Sequence, residues 1–238
     1  MAENNTRAPR EAPPAPTFIR LLARMTDVEV PNSEPALIDQ LSQWIDWSRA
    51  VALSRSLDGA LPAAQTEDST SADEDVQADC LNTRRSLAQS IHNGVRLTFE
   101  ATEAAEVNLT PFVERYSSLQ RSMLSATGRL RGMLRDRLAA RSGEMARLAE
   151  VDAVLEQALG AREYRWLAVV PEMLGQHVER LRQAAQPTAP EGDAPSPSSF
   201  EIGAWREVFR QDMQHLLLAE LDVRFQPLDG LLAALRAR

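Results

Sequence analysis

From Phe112 to Leu130 the side chains Phe112, Tyr116, Leu119, Met123, Ala126 and Leu130 step alternately by four and three residues, the spacing of a coiled-coil seam. The pattern then takes two steps of four, to Leu134 and Leu138, before Met145, Leu148, Leu155 and Leu159 resume. A stutter of this kind relaxes a supercoil locally. At about 100° per residue, Arg137 and Arg141 share the face of Leu130, Leu134 and Leu148, and an uninterrupted buried seam accepts charge there only at a cost. With Gly143 just beyond, the pattern predicts a break near 141–143. The two halves then form an antiparallel hairpin or one bent arm.

Shorter amphipathic stretches flank this pair. Phe18 to Met25 predicts a short helix ending before Pro31, and a second starts near Ser33 or Glu34 and runs to about Leu57. Its face carries Leu37, Leu41, Trp44, Ser48 and Val51, Pro35 is tolerated in the first turn, and Gly59 and Pro62 stop it. A third helix begins near Asp79, carries Leu87, Ile91, Val95, Phe99 and Thr102, and fades around Val107. Thr110-Pro111 then reads as a hydroxyl N-cap followed by proline at the first helical position.

Gly160 is placed to close the second half of the long pair. From Arg162 the chain leads through Trp166 to Pro171, which should kink or restart a helix reaching about Ala185. Ile202, Trp205, Phe209, Met213 and Leu216 predict a last strong helix to about Arg224, ended by Pro227, with Leu228 to Leu235 as a short apolar cap. No stretch alternates apolar and polar residues over strand length. The expected fold is all-α, an irregular bundle of six or seven helices with a long coiled-coil-like helix or helical hairpin.

The organisation that follows is a disordered tail over residues 1–16, which hold four prolines, N-terminal helices over 17–61, and an acidic linker over 62–79. A central helical region with the long arm spans 80–185, a Pro/Ser-rich linker 186–199, and C-terminal helices packing on the bundle 200–238. Residues 62–79 carry six acids and no base, whereas 80–185 carry 15 arginines against 12 acids. The net charge of −8 therefore hides a separation of sign.

Composition narrows the chemistry. All 26 basic residues are arginine, so a lysine Schiff base, a pyridoxal-phosphate anchor and a lysine-bearing phosphate loop are excluded. Aromatic residues are only 5% of the chain, and the 44% apolar share is mostly Leu and Ala, which suits helices. Cys80 alone makes no intrachain disulfide. The polar, proline-rich opening is unlike a secretory signal, and apolar runs such as 166–170 and 216–219 fall far short of the roughly 20 residues a bilayer needs. A cytoplasmic location without direct membrane insertion is the expectation.

Few constellations suggest a reaction. Asp212-x-x-His215 has one half of a metal-binding spacing, but a di-iron bundle needs paired half-sites and further glutamates, and a solvent-facing helix edge accounts for it. Cys80 stands near the expected start of the third helix with no histidine close in sequence to activate it. No metal, cofactor or catalytic residue is assigned. Gly128-Arg-Leu-Arg-Gly132 has small-xxx-small spacing, yet its arginines rule out a membrane dimer motif.

Seven arginines, Arg121, Arg129, Arg131, Arg135, Arg137, Arg141 and Arg147, against Asp136 and Glu144 make the best argument for nucleic-acid binding. They spread around the whole helix without interleaved aromatics, which favours a solvated surface with salt-bridged neighbours. The acidic 67–79 segment could also fold back on them.

The run Trp205-Arg-Glu-Val-Phe-Arg, the stretch from Leu216 to Leu235, the early Phe18-Ile-Arg-Leu-Leu and the Thr110-Pro111-Phe112 start together resemble an uncharacterised proteobacterial all-helical family, domain of unknown function 3348. The likeness covers most of the chain outside the tail and linkers. It implies a cytosolic accessory of an envelope-spanning assembly, because genes of that family lie beside those of coiled-coil membrane proteins and peptidoglycan-binding envelope proteins. It carries over no catalytic residue.

The residues and the resemblance together give the expectation of a non-enzymatic scaffold. Its long helix pair would zip with another helical protein or a second copy through Phe112, Tyr116, Leu119, Met123, Leu130 and Leu134, with Arg137 and Arg141 at the stutter.

Overall fold

The computed structural model describes residues 16–27, 45–60, 70–101, 108–185 and 199–237. Among the described residues there are seven α-helices and no strand: α1 (Thr17–Thr26), α2 (Trp47–Asp58), α3 (Thr70–Ala101), α4 (Thr110–Arg141), α5 (Gly143–Ala168), α6 (Val170–Ala184) and α7 (Ser199–Arg236). The expectation of an all-α bundle is met.

Helices α3, α4 and α7, of 32, 32 and 38 residues, enclose the core. Antiparallel packing of α3 on α4 is fixed at one end by Asp73 against Arg137 and at the other by Thr98 against Arg115. Gly94 lies at this contact, and a Cβ there would sit 3.3 Å from the Arg115 Cδ, so glycine lets the two helices approach. Helix α7 runs parallel to α4, with Phe112 beside Phe209 and Tyr116 bonded to Glu220. Between them lie Ile91, Val95, Met123, Leu130, Leu134, Leu138, Met213, Leu216, Leu217 and Phe225, all buried.

The chain turns back after Arg141 through one residue. Ser142 is extended (φ −158°, ψ 163°), its side chain accepts the Met145 N–H at 3.2 Å, and its carbonyl accepts the Ala146 N–H at 2.8 Å. This is an N-cap at the predicted break. Helix α5 then returns along α4, bringing Asp152 against Arg131 and the Leu167 carbonyl against Gln120. Of the hairpin and the bent arm, the hairpin is formed. Helix α2 packs on α5, and α1 packs on α6 and α7.

Several sequence expectations are corrected. The acidic segment is helical from Thr70, and its Val76 is buried one turn ahead of the buried Cys80, which docks it on the core. The helix placed at Ser33–Leu57 lies partly outside the described residues, and what is described starts afresh at Trp47, capped by the Asp46 side chain on the Arg49 N–H at 2.9 Å. The Thr110 hydroxyl is not the cap of α4. Leu109 is the N-cap residue, and Asn108 Oδ1 accepts the Thr110 N–H at 3.0 Å.

Neither Gly160 nor Pro227 ends a helix. Glycine costs a helix interior about 1 kcal/mol and proline about 3. Burial of Leu228, Leu231, Leu232 and Leu235 beyond Pro227, at about 1.5–3 kcal/mol each, outweighs the proline. The expected tail and most of the second linker lie outside the described residues.

Candidate functional site

The seam is filled from within the chain. Tyr116, Met123, Leu130 and Leu134 are 0% exposed, Leu119 6% and Phe112 7%. They pack in one core with α3 and α7 residues, including Val95 and Phe209. These six positions, expected to grip another polypeptide, are therefore corrected to internal core. The physical reason is that a four-and-three step reports a face that must be covered and says nothing of whose helix covers it. Ala126 is half-buried, and Thr127 takes its place inside, bonding its hydroxyl to the Met123 carbonyl at 2.8 Å.

Arg137 and Arg141 do lie on the seam side, as the stutter predicts, but they are not a docking surface. Arg137 bonds Asp73 at 3.1 Å, Arg141 lies 3.8 Å from the same carboxylate, and Arg141 also donates to the Leu235 carbonyl. The acidic segment thus folds back on the arginines through Asp73. Three more arginines of the basic run are similarly engaged, while Arg121 and Arg129 are exposed and meet no carboxylate among the described residues. Arg131 and Arg135 both donate to Asp152 at 2.7–2.8 Å, Arg135 also to Glu156, and Arg147 to the Gly59 carbonyl. Burial alone would raise the Asp152 pKa, yet hydrogen bonds from the two guanidiniums prevail and hold it below the usual carboxylate range. This clasp stitches α4 to α5.

Two polar clusters interrupt the core. Glu220 is fully buried; its Oε2 accepts from Tyr116 at 2.9 Å and Gln120 at 3.0 Å, and its Oε1 from Arg224 at 2.8 and 3.0 Å. Arg224 reaches on to the half-exposed Glu163 at 3.3 Å, so the network ends in solvent. Burial and then the adjacent carboxylate push the Tyr116 phenol well above its ordinary pKa. The second cluster centres on Asp212, whose Oδ2 meets His177 Nε2 at 2.8 Å and whose Oδ1 accepts from Arg24 at 2.6 Å.

The Asp212/His215 pairing is not formed, because Asp212 faces inward and His215 is exposed. A single three-residue step left the two on different sides of the buried boundary. Among the described residues no group of three or more His, Cys, Asp or Glu is placed to hold a metal ion.

Cys80 is buried in the middle of α3 rather than at a helix start. Burial, with Asp79 and Asp229 adding to it, pushes its thiol up to about 11, which opposes formation of the nucleophilic thiolate. A pocket between Phe99, Phe112, Trp205 and Phe209 has a cavity of about 10 Å³, room for one water at most. Small-molecule sites run to about 300–1,000 Å³. No described helix is long and apolar enough to cross a membrane.

Large apolar side chains do reach the surface where α5 gives way to α6. Tyr164 is 61% exposed, Trp166 57% and Val169 49%. Arg165 is exposed between Tyr164 and Trp166 and donates to the Ala161 carbonyl of its own helix. Trp47 on α2 is 83% exposed.

Sequence reading missed Glu220, Gln120, Arg224 and Asp152. The signal for the first pair was present: Glu220 and Arg224 stand four apart in the apolar run around Leu216, Leu217, Leu221 and Leu228, where a charge has to be paired internally. Gln120, among Ser118, Arg121 and Ser122, left no comparable trace, and Asp152, though flanked by Val151 and Ala153, has no basic residue three or four positions away to mark a pair.

A family model described as Protein of unknown function (DUF3348) matches residues 5–237. No curated protein and no solved structure matches the chain.

Proposed function

For a chain that belongs to the DUF3348 family, we propose the role of a non-enzymatic helical interaction protein that meets its partner through the exposed elbow between α5 and α6. The carrying observation is the exposure of Trp166 and of Val169 three residues on, with Tyr164 exposed on the same helix. Large apolar side chains clustered on a surface mark association sites, and Trp, Tyr and Arg dominate the energetics of such sites. The partner is another helical protein, and the setting is the cytoplasmic side of an envelope-spanning assembly.

The buried ionisable groups support a reading without chemistry. Glu220, Arg224, Asp212 and His177 each have an internal partner, whereas general acid–base catalysis needs a group that can reach a substrate proton. Arginines Arg131, Arg135 and Arg137 are likewise spent on carboxylates, which leaves less charge for the phosphates of a nucleic acid.

The test is molar mass by light scattering of the chain recovered with its partner from native cytosol, for wild type and for Trp166→Asp. The partner should be lost from the variant, with melting unchanged to within about 0.5 kcal/mol, as for a surface substitution. A variant that keeps its partner, or a partner-free protein that turns over a small molecule, contradicts the proposal.

A further inference from the structure

We draw no further inference here: the strongest candidate, the outward face of α4 around Gly128 and Gly132 with the exposed Arg121, Arg129 and Asp136, is a stripe of small residues between solvated charges, and nothing in the structure shows what covers it.

Discussion

Aspartate at both Leu119 and Met123 abolishes folding: the helical far-ultraviolet signal falls and no cooperative melting transition remains. Both positions are enclosed by α3 and α7, with Met123 0% exposed. Truncating one buried Leu or Met already costs about 2–5 kcal/mol, and an unpaired carboxylate adds desolvation on top. Two such changes match or exceed the roughly 5–15 kcal/mol that holds a domain together. Leu124→Asp, one position along on the exposed side of the same helix, is the control and should stay within about 0.5 kcal/mol of wild type. Circular dichroism of the three proteins checks this. Retained helicity with lost self-association would mean that the seam is shared between chains.

The Glu220–Arg224 pair should show strong non-additivity. Arg224→Met leaves Glu220 with only the Tyr116 hydroxyl and the Gln120 amide, and Glu220→Leu leaves Arg224 with only the half-exposed Glu163. Breaking a buried pair from one side costs about 3–5 kcal/mol, largely because the survivor stays charged and uncompensated. The double variant removes both charges and should lose less than the sum of the single losses, with a coupling energy of about 1–3 kcal/mol. Urea denaturation of the four proteins measures it. Additive losses would show that the two charges are independently solvated.

How far the chain could be read beforehand follows from which forces are local. The hairpin break was legible because Arg137, Arg141 and Gly143 interrupt the apolar step within a few residues, and Ser142 supplies the cap there. Helix ends set by tertiary packing were not. Pro227 and Gly160 look like stops in isolation. Burial of Leu228, Leu231, Leu232 and Leu235 carries α7 past its proline, whereas α5 simply absorbs the roughly 1 kcal/mol cost of its glycine, with Leu167 the one buried residue beyond it. The acidic segment misled for a similar reason: Val76 and Asp73 are single residues in polar surroundings, yet one enters the core and the other meets Arg137.

The expected docking stripe shows the same limit. Periodicity located the stripe from Phe112 to Leu134 correctly but could not say that α3 and α7, far away in sequence, would cover it. Trp166 and Val169, by contrast, belong to the apolar run 166–170, and no periodic rule distinguishes an exposed run from a buried one. Only the packed arrangement leaves Trp166 outside while Leu167 and Val170 turn in.

Peroxide oxidation of individual methionines, followed by mass spectrometry over a dilution series, tests most directly whether the seam is covered by its own chain. Oxidation tracks exposure of the thioether. Met123 should form sulfoxide far more slowly than the half-buried Met145 and Met173, and equally slowly at every protein concentration. Protection of Met123 that fades on dilution would mean that a second polypeptide, and not α3 and α7, covers the seam.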